Sequence, residues 1–440
     1  MSFQAFPRHL ALLALAAALN ACGGGSSASS VPTTGTTAAT TITGTEPDTT
    51  GVIVIGATAQ AIKLPGGAAL AGMGDAMVVG DHIVVRSFSD SSITVSGNKV
   101  HPRTRLSVLD QDGTLVSSTD YGFTLAAGYT GEWQMLPSPD GFVMVQSGPG
   151  ARLLHFDAQA KLVGEPLELY PAVAATSTTE LAAAESSAAV DGNGFWLVTT
   201  FSLLPVTEKT QYLLKLCKFD FNGRQLTPPF QISTSALHPH IAASGGAVLA
   251  AWLEGGGAML AMWPKGLGAP ILHSLGTGGA QPYPIVLDTN GKLGMLWNGK
   301  ATLTSPGGVM GVAIDKNGVA VLPADRTDLT KETLSGHWPG TGRMAEVDAR
   351  VYKGSLLLAD VAVGAYAPGD PVGDVMVLAD YGVGTAALSS QKELIFRIKM
   401  TGTGSVLGSY PVMRQMLFAD HATLLFGDEN HLEAVRVTRN

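Results

Sequence analysis

The strongest constraint on the fold is a repeat. A turn rich in Gly, Asp or Asn, followed by an apolar strand, recurs as "VGDHIVV" near Asp81, "SPDGFVMV" near Gly141, "DGNGFWLV" near Asn193, "SGGAVLAAW" near Gly245, "DTNGKLGMLW" near Asn290, "YKGSLLLA" near Gly354 and "ADHATLLF" near His421. These copies stand roughly 45 to 70 residues apart. A second element alternates with the first: an apolar strand, then Asp or an equivalent, then a turn into another strand. It reads "VLDQDGTLV" at Asp110, "HFDAQAKLV" at Asp157, "KFDFNGRQL" at Asp220, "AIDKNGVAV" at Asp315 and, more weakly, "RIKMTGTGSVL" at Lys399. Asp-Gly and Asp-x-Asn-Gly tips suit tight hairpins, because glycine and asparagine tolerate positive φ.

Two hairpins per roughly 50 to 60 residues is the content of one four-stranded propeller blade. The body, residues 51–440, is therefore expected to be all-β and to resemble a β-propeller of seven four-stranded blades. The last copy ends one strand short at "LEAVRVTRN", while "GVIVIGATAQAIKL" at 51–64 precedes the first complete repeat. That N-terminal strand is expected to close the ring and leave no open sheet edge. Six or eight blades, a β-solenoid or two packed β-sandwiches are the alternatives. Only 14% of residues are charged, so few exposed helix faces are expected, and the 54 glycines follow no three-residue collagen period. One stretch departs from the pattern: "TSTTELAAAESSAAV" at 176–190 has the alanine content of a helix, and predicts a short helix or irregular loop ahead of an inner strand.

Residues Leu10–Leu19 are all Leu or Ala and follow Arg8, which is the h-region of a signal peptide and too short to span a bilayer. The run ends in Leu19-Asn20-Ala21-Cys22, which resembles the lipobox of bacterial lipoproteins. The resemblance implies that residues 1–21 are a signal peptide and that Cys22 becomes a lipidated first residue. Several acyl chains, at about 0.8 kcal/mol per buried methylene, give stable attachment. Gly23 follows the cysteine, and by the same resemblance to Gram-negative lipoproteins this favours the outer membrane, with the body facing the periplasm or the outside. Residues 23–50 are Ser/Thr-rich, without an aromatic or basic residue, and cannot bury enough surface to offset their ordering entropy. They are expected to form a disordered tether with an end-to-end distance of roughly 30 Å, or an O-glycosylated stalk.

With two cysteines, Cys22 and Cys217, no disulfide is expected within the body, and Cys217 in "YLLKLCKFDF" reads as a small buried hydrophobe. A net charge of −8 with 27 basic residues supplies no footprint for nucleic acid. No Gly-x-Ser-x-Gly elbow, His-Glu-x-x-His, Walker loop or dinucleotide fingerprint is present, and no cofactor is expected. "DQDG" at Asp110 lacks the distal ligands of a calcium loop and reads as a turn.

In a propeller the segments entering the innermost strands meet at one mouth. Here they carry Trp133 and Gln134; His238 and His240; Tyr283; His337, Trp338, Arg343 and Glu346; and Arg414. This polar and aromatic set is the expected ligand-binding group, offering stacking surfaces and charges to a glycan, peptide or envelope protein. The bland alternative is loop residues packing on one another. His238 and His240, two apart on a strand, would face the same way and form a weak candidate metal pair. The expected function is that of a membrane-anchored binding or scaffolding module. The alternative is a propeller hydrolase or lyase acting on a polysaccharide or other envelope polymer, with Glu132, Glu185 or Glu346 as catalytic carboxylates.

Overall fold

The computed structural model describes the strands given below with their tight turns, between Ile53 and Arg439. Residues 1–52 and the longer connecting segments 66–73, 122–132, 174–180, 204–211, 275–281, 299–308, 315–326, 329–342, 364–373 and 399–411 lie outside the described residues, as do several shorter ones and the side chains of most residues between 343 and 398.

The chain forms consecutive antiparallel sheets, each entered at one edge and left at the other. Sheet I contains Asp75–Val79, His82–Phe88, Thr104–Leu109 and Leu115–Tyr121. Sheet II contains Trp133–Ser138, Gly141–Ser147, Ala151–Asp157 and Leu162–Tyr170. Leu181–Asp191, Gly194–Leu203, Leu213–Asp220 and Phe230–Ser233 make sheet III. Sheet IV is Leu237–Ser244, Ala247–Glu254, Gly257–Trp263 and Ile271–Ser274. Sheet V is Pro282–Val286, Leu293–Asn298, Val309–Ile314 and Thr327–Asp328. Sheet VI begins with Arg343–Tyr352, Ser355–Val363, Asp374–Val383 and Leu388–Ile398. Val412–Leu417, His421–Gly427 and Leu432–Arg439 belong to sheet VII. The first strand of each sheet touches the first strand of the next, and that of sheet VII touches that of sheet I. This is an all-β propeller with four-stranded blades.

The N-terminal chain completes two sheets. Ala57–Ile62 pairs antiparallel with Ala434–Arg439 as the outer strand of sheet VII. Before it, Ile53–Val54 pairs with Ile395 and Leu394 as a fifth strand of sheet VI, an addition the repeat gave no sign of.

Each copy of the first sequence element falls between the first and second strands of a sheet, although residues 288–291 and 353–354 themselves lie outside the described residues. The second element has a shared physical cause in sheets I, II and III. Asp110 Oδ1 accepts the N–H groups of Asp112 (2.9 Å) and Thr114 (2.8 Å). Asp157 accepts from Gln159 (3.0 Å) and Lys161 (2.9 Å), and Asp220 from Asn222 (3.0 Å) and Arg224 (2.9 Å). One carboxylate thus organises a whole turn. The residue three positions on is left-handed in all three: Gly113 (φ 83°), Ala160 (φ 58°) and Gly223 (φ 75°). "DQDG" is therefore a turn. The copy at Asp315 lies outside the described residues. The one at Lys399 follows the end of the fourth strand of sheet VI rather than joining its third and fourth strands, which is a correction to the expected register.

These turns also bind sheet to sheet. The Asp110 turn of sheet I meets sheet VII, where Arg436 Nη2 donates to Gln111 O (2.5 Å) and Asp112 Oδ1 (2.7 Å). The Asp157 turn of sheet II meets sheet I, where the Tyr121 hydroxyl donates to Ala160 O (2.7 Å) and accepts from Leu162 N (3.2 Å). Beside the Asp220 turn of sheet III, His155 of sheet II bonds Phe221 O. Between these contacts lie apolar layers, such as Phe142, Met144, Leu154 and Phe156 against Val84, Leu106 and Val108.

The expected helix or loop at 176–190 is corrected. Residues 174–180 lie outside the described residues, and Leu181–Asp191 is the eleven-residue inner strand of sheet III. Ala182 and Ala183 are 0% exposed and Ala188 3%, so burial in the strand context overrides their local helix propensity.

Candidate functional site

A central channel of about 730 Å³ runs between the inner strands, lined by residues of all the sheets from Asp75 in sheet I to Arg414 in sheet VII. Several polar groups on or beside it fall on one level. Asp75, Gln134, His240, Tyr283 and Arg414 each stand four residues ahead of the residue that closes the following turn, namely Val79, Ser138, Ser244, Leu287 and Phe418. The pairing register of the repeat therefore delivers them to a common depth, and neighbouring sheets couple there.

Four couplings are visible. Arg414 Nε donates to Asp75 Oδ1 at 2.8 Å, joining sheet VII to sheet I. Asp75 also accepts from its neighbour Ala76 N (2.9 Å) and from Met135 N of sheet II (3.2 Å). Gln134 grips the inner strand of sheet III: its Nε2 donates to Ala188 O and its Oε1 accepts from Ala188 N, both at 2.7 Å. The rings of His240 and Tyr283 join sheets IV and V with centroids 4.8 Å apart. Burial and the nearby His238 push His240 down to about 4, against a smaller opposing pull from Glu185, so the imidazole is neutral at pH 7. Behind Asp75 lies Arg86, only 6% exposed. Burial lowers Arg86 to about 10, with Asp75 opposing and Arg414 adding to the shift. Even so, it stays charged at pH 7.

Nearer the start of the inner strands, sheets III and IV are both bulged, between Ala183 and Ser186 and between Leu237 and His240. Glu185 and His238 sit in these bulges. Glu185 is 7% exposed; its Oε2 accepts His238 N at 2.7 Å and its Oε1 lies 3.4 Å from His238 Nδ1. Thr200 Oγ1 supports Glu185 by accepting its N–H at 3.0 Å. His238 has φ 51°, a left-handed conformation that is costly for a residue with a Cβ. Tyr212 is raised by burial first and by the charge of Glu185 second. Leu181 and Leu237, 36% and 38% exposed, flank the pair.

Of the expected ligand residues, Gln134, Tyr283 and Arg414 line the channel, His240 packs on Tyr283, and His238 lies in the bulge against Glu185. Trp133 does not line the channel; it packs against the apolar layer between sheets I and II. Gln134 engages both ends of its amide with the backbone of Ala188, a role in joining sheets. At His238 and His240 the bulge breaks strand alternation: His238 meets Glu185 of sheet III, and the ring of His240 packs on Tyr283 of sheet V. Among the described residues, no group of three His, Cys, Asp or Glu is gathered as for a metal ion. Cys22, Glu132, His337 and Trp338 lie outside the described residues, as do the side chains of Arg343 and Glu346. Asp75, Arg86 and Arg350 were missed; the signal for Asp75 was its place in the register, matching that of Gln134 and Arg414. Cys217 is 0% exposed, and burial pushes its thiol up to about 11.

No protein-family model matches the chain, and no curated protein matches it. Among solved structures it is similar to the Dos1 propeller, at 8% identity and a TM-score of 0.45 over 82% of this chain and 90% of that one. It is similar to the polysaccharide lyase Uly1 at 8% identity and 0.43, over 85% and 91%. For the WD40 domain of SCAP from fission yeast the values are 9% and 0.38, over 87% of each chain. Likenesses of this depth carry no argument about activity or ligand.

Proposed function

We propose that the chain is an envelope lipoprotein, anchored through Cys22 in the outer membrane and held off it by the tether of residues 23–50, whose body is a closed ring of seven blades. It binds a glycan, peptide or envelope protein at the end of the channel where the inner strands begin. Closure is supported by the succession of inner-strand contacts and by the Arg436 link from sheet VII to the Asp110 turn. The observation that carries the binding role is the corner between sheets III and IV. Paired bulges, a buried carboxylate and a left-handed histidine stand there beside exposed leucines and above the His240–Tyr283 stack. Bulges and stored strain concentrate where a side chain is aimed for function.

The test is thermal unfolding of the intact protein in detergent, with oligosaccharides, short peptides, and divalent metals with a chelator control. A ligand present at 100 times its dissociation constant adds about 2.7 kcal/mol. Tyr283→Ala and Glu185→Gln should abolish the ligand-dependent shift. A shift that survives both substitutions would place binding elsewhere.

One observation favours the enzyme reading: a carboxylate beside Nδ1 orients an imidazole as a general base. Under it, Glu185 positions and His238 moves the proton. Turnover on an envelope polymer that is lost with His238→Gln, while binding persists, would select this reading. A carboxylate-pair glycosidase would need a second carboxyl about 5 to 10 Å from the first.

A further inference from the structure

We propose that the end of the channel away from the mouth is a second docking surface, for a protein segment that carries a bulky apolar side chain between basic residues. This goes beyond the binding face at the mouth and does not depend on it. Every inner strand ends at this face, before the connection to its second strand. One residue before each turn closes, the channel wall is apolar: Val78, Pro137, Val190, Ala243, Val286 and Leu417, from six of the sheets, line it there. In sheet VI the pairing register puts Val351 at the same position. Pro137 is exposed, and Val78, Val190, Val286 and Leu417 are half-buried, so the chain's own packing does not seal this ring. An exposed apolar opening within a polar rim is the pattern of an interaction surface.

The rim is acidic on one side. The turns of three consecutive sheets, VII, I and II, carry Asp420, Asp81 and Asp140. Asp420, whose side chain is 81% exposed, meets His421 Nδ1 at 2.7 Å, and Asp81 and Asp140 are exposed. The cations stand on the other side: Lys292 precedes the second strand of sheet V, Lys353 belongs by sequence to the connection in sheet VI, and Arg350 of sheet VI lines the channel. Elsewhere on this face charges are matched in pairs, Arg436 with Asp112 (2.7 Å), Arg224 with Asp220 (3.1 Å) and Lys218 with Asp191 (2.9 Å). A basic segment is thus drawn to the side of sheets VII, I and II, where its apolar side chain reaches the opening. The carboxylates orient the segment, and the apolar ring supplies the affinity, as a pocket does for an anchor residue.

The experiment is calorimetry of the intact protein in an uncharged detergent, against a detergent-only blank, with three acetylated and amidated pentapeptides: Lys-Lys-Phe-Lys-Lys, Lys-Lys-Ser-Lys-Lys and Glu-Glu-Phe-Glu-Glu. The first should bind about tenfold or more tightly than the second, which lacks the apolar anchor, and more weakly at high salt. The third should not bind. Asp81→Asn combined with Asp140→Asn should weaken the first about threefold or more with the melting temperature unchanged, since both side chains are exposed. Equal binding of the first two peptides overturns the apolar opening, and an affinity indifferent to the double substitution overturns the acidic rim. Binding abolished by Glu185→Gln places the peptide at the mouth and overturns the proposal. Failure of the first peptide to bind natively folded protein overturns it too, and the mouth is then judged by its own Tyr283→Ala test.

Discussion

Replacing Gln134 tests whether the sheets are joined at the channel wall. Its amide satisfies both backbone groups of Ala188, a residue 3% exposed, through two bonds of 2.7 Å. Gln134→Ala leaves that N–H and C=O facing the channel. Each buried group left without its partner costs about 1 to 3 kcal/mol, so the variant should lose about 2 to 6 kcal/mol, toward the lower end where channel water replaces the amide. Gln134→Glu is the sharper probe. At pH 7 a carboxylate oxygen would face Ala188 O where a donor now stands, and the loss should exceed that of Gln134→Ala. Once protonated, the same carboxyl can donate to Ala188 O and accept from Ala188 N, as the amide does. Relative to Gln134→Ala, the Glu variant should therefore regain stability as pH falls from 7 toward 4. Urea unfolding of the wild type and both variants at several pH values measures this directly. A Glu variant no less stable than the Ala variant at pH 7, with no relative gain in acid, would refute the proposed coupling of sheets II and III.

Three further outcomes are expected. The folded protein favours neutral His240, whose value of about 4 lies below the ordinary 6.5, so the unfolded chain binds more protons between these values. This contribution is complete above about pH 6.5 and lost as pH falls toward 4; it is at most about 3 kcal/mol, and less because His240 is only half-buried. His240→Phe should flatten that part of the urea-midpoint profile, and an unchanged slope would exclude His240 as its source. Gly194→Ala should destabilise by at least about 2 kcal/mol in the same assay, since its Cβ would stand 2.1 Å from Phe219 O, a backbone atom with little room to yield. Thr199→Val should be neutral or stabilising by about 1 kcal/mol, because Thr199 Oγ1 is buried without a hydrogen-bond partner among the described residues. A clear loss on this change would indicate that the hydroxyl holds an ordered water.

The legible part of the fold was the part that repeats. The turn Asp at 110, 157 and 220 could be read because one carboxylate caps the same two N–H groups each time, and a repeated physical task leaves a repeated residue. Closure by Ala57–Ile62 was legible from the strand missing at the C-terminus. What resisted reading was particular to single sheets. The alanines of Leu181–Asp191 spell helix in local propensity and strand in context, and the packing that decides between them comes from neighbouring strands and sheets. The bulge at His238 was equally hidden: "LHPHIAAS" alternates on paper, and only the pairing of Leu237 with Leu253 and His240 with Ala251 shows that alternation fails.

That failure explains why the candidate site stands where it does. Around most of the channel the common level of Asp75 and Gln134 is spent on joining one sheet to the next, and such groups are committed by their partners. Sheets III and IV depart from the register together. Their bulges lift Glu185 and His238 out of the repeating pattern, toward the strand starts and beside the exposed Leu181 and Leu237. A ring of near-equivalent sheets offers identical geometry at every position unless something breaks the equivalence, and binding one asymmetric ligand requires a break. Here the break is a pair of facing bulges tied together by one carboxylate. Freeing His238 from Glu185 should therefore alter recognition at the mouth, whereas loosening Gln134 should alter stability first.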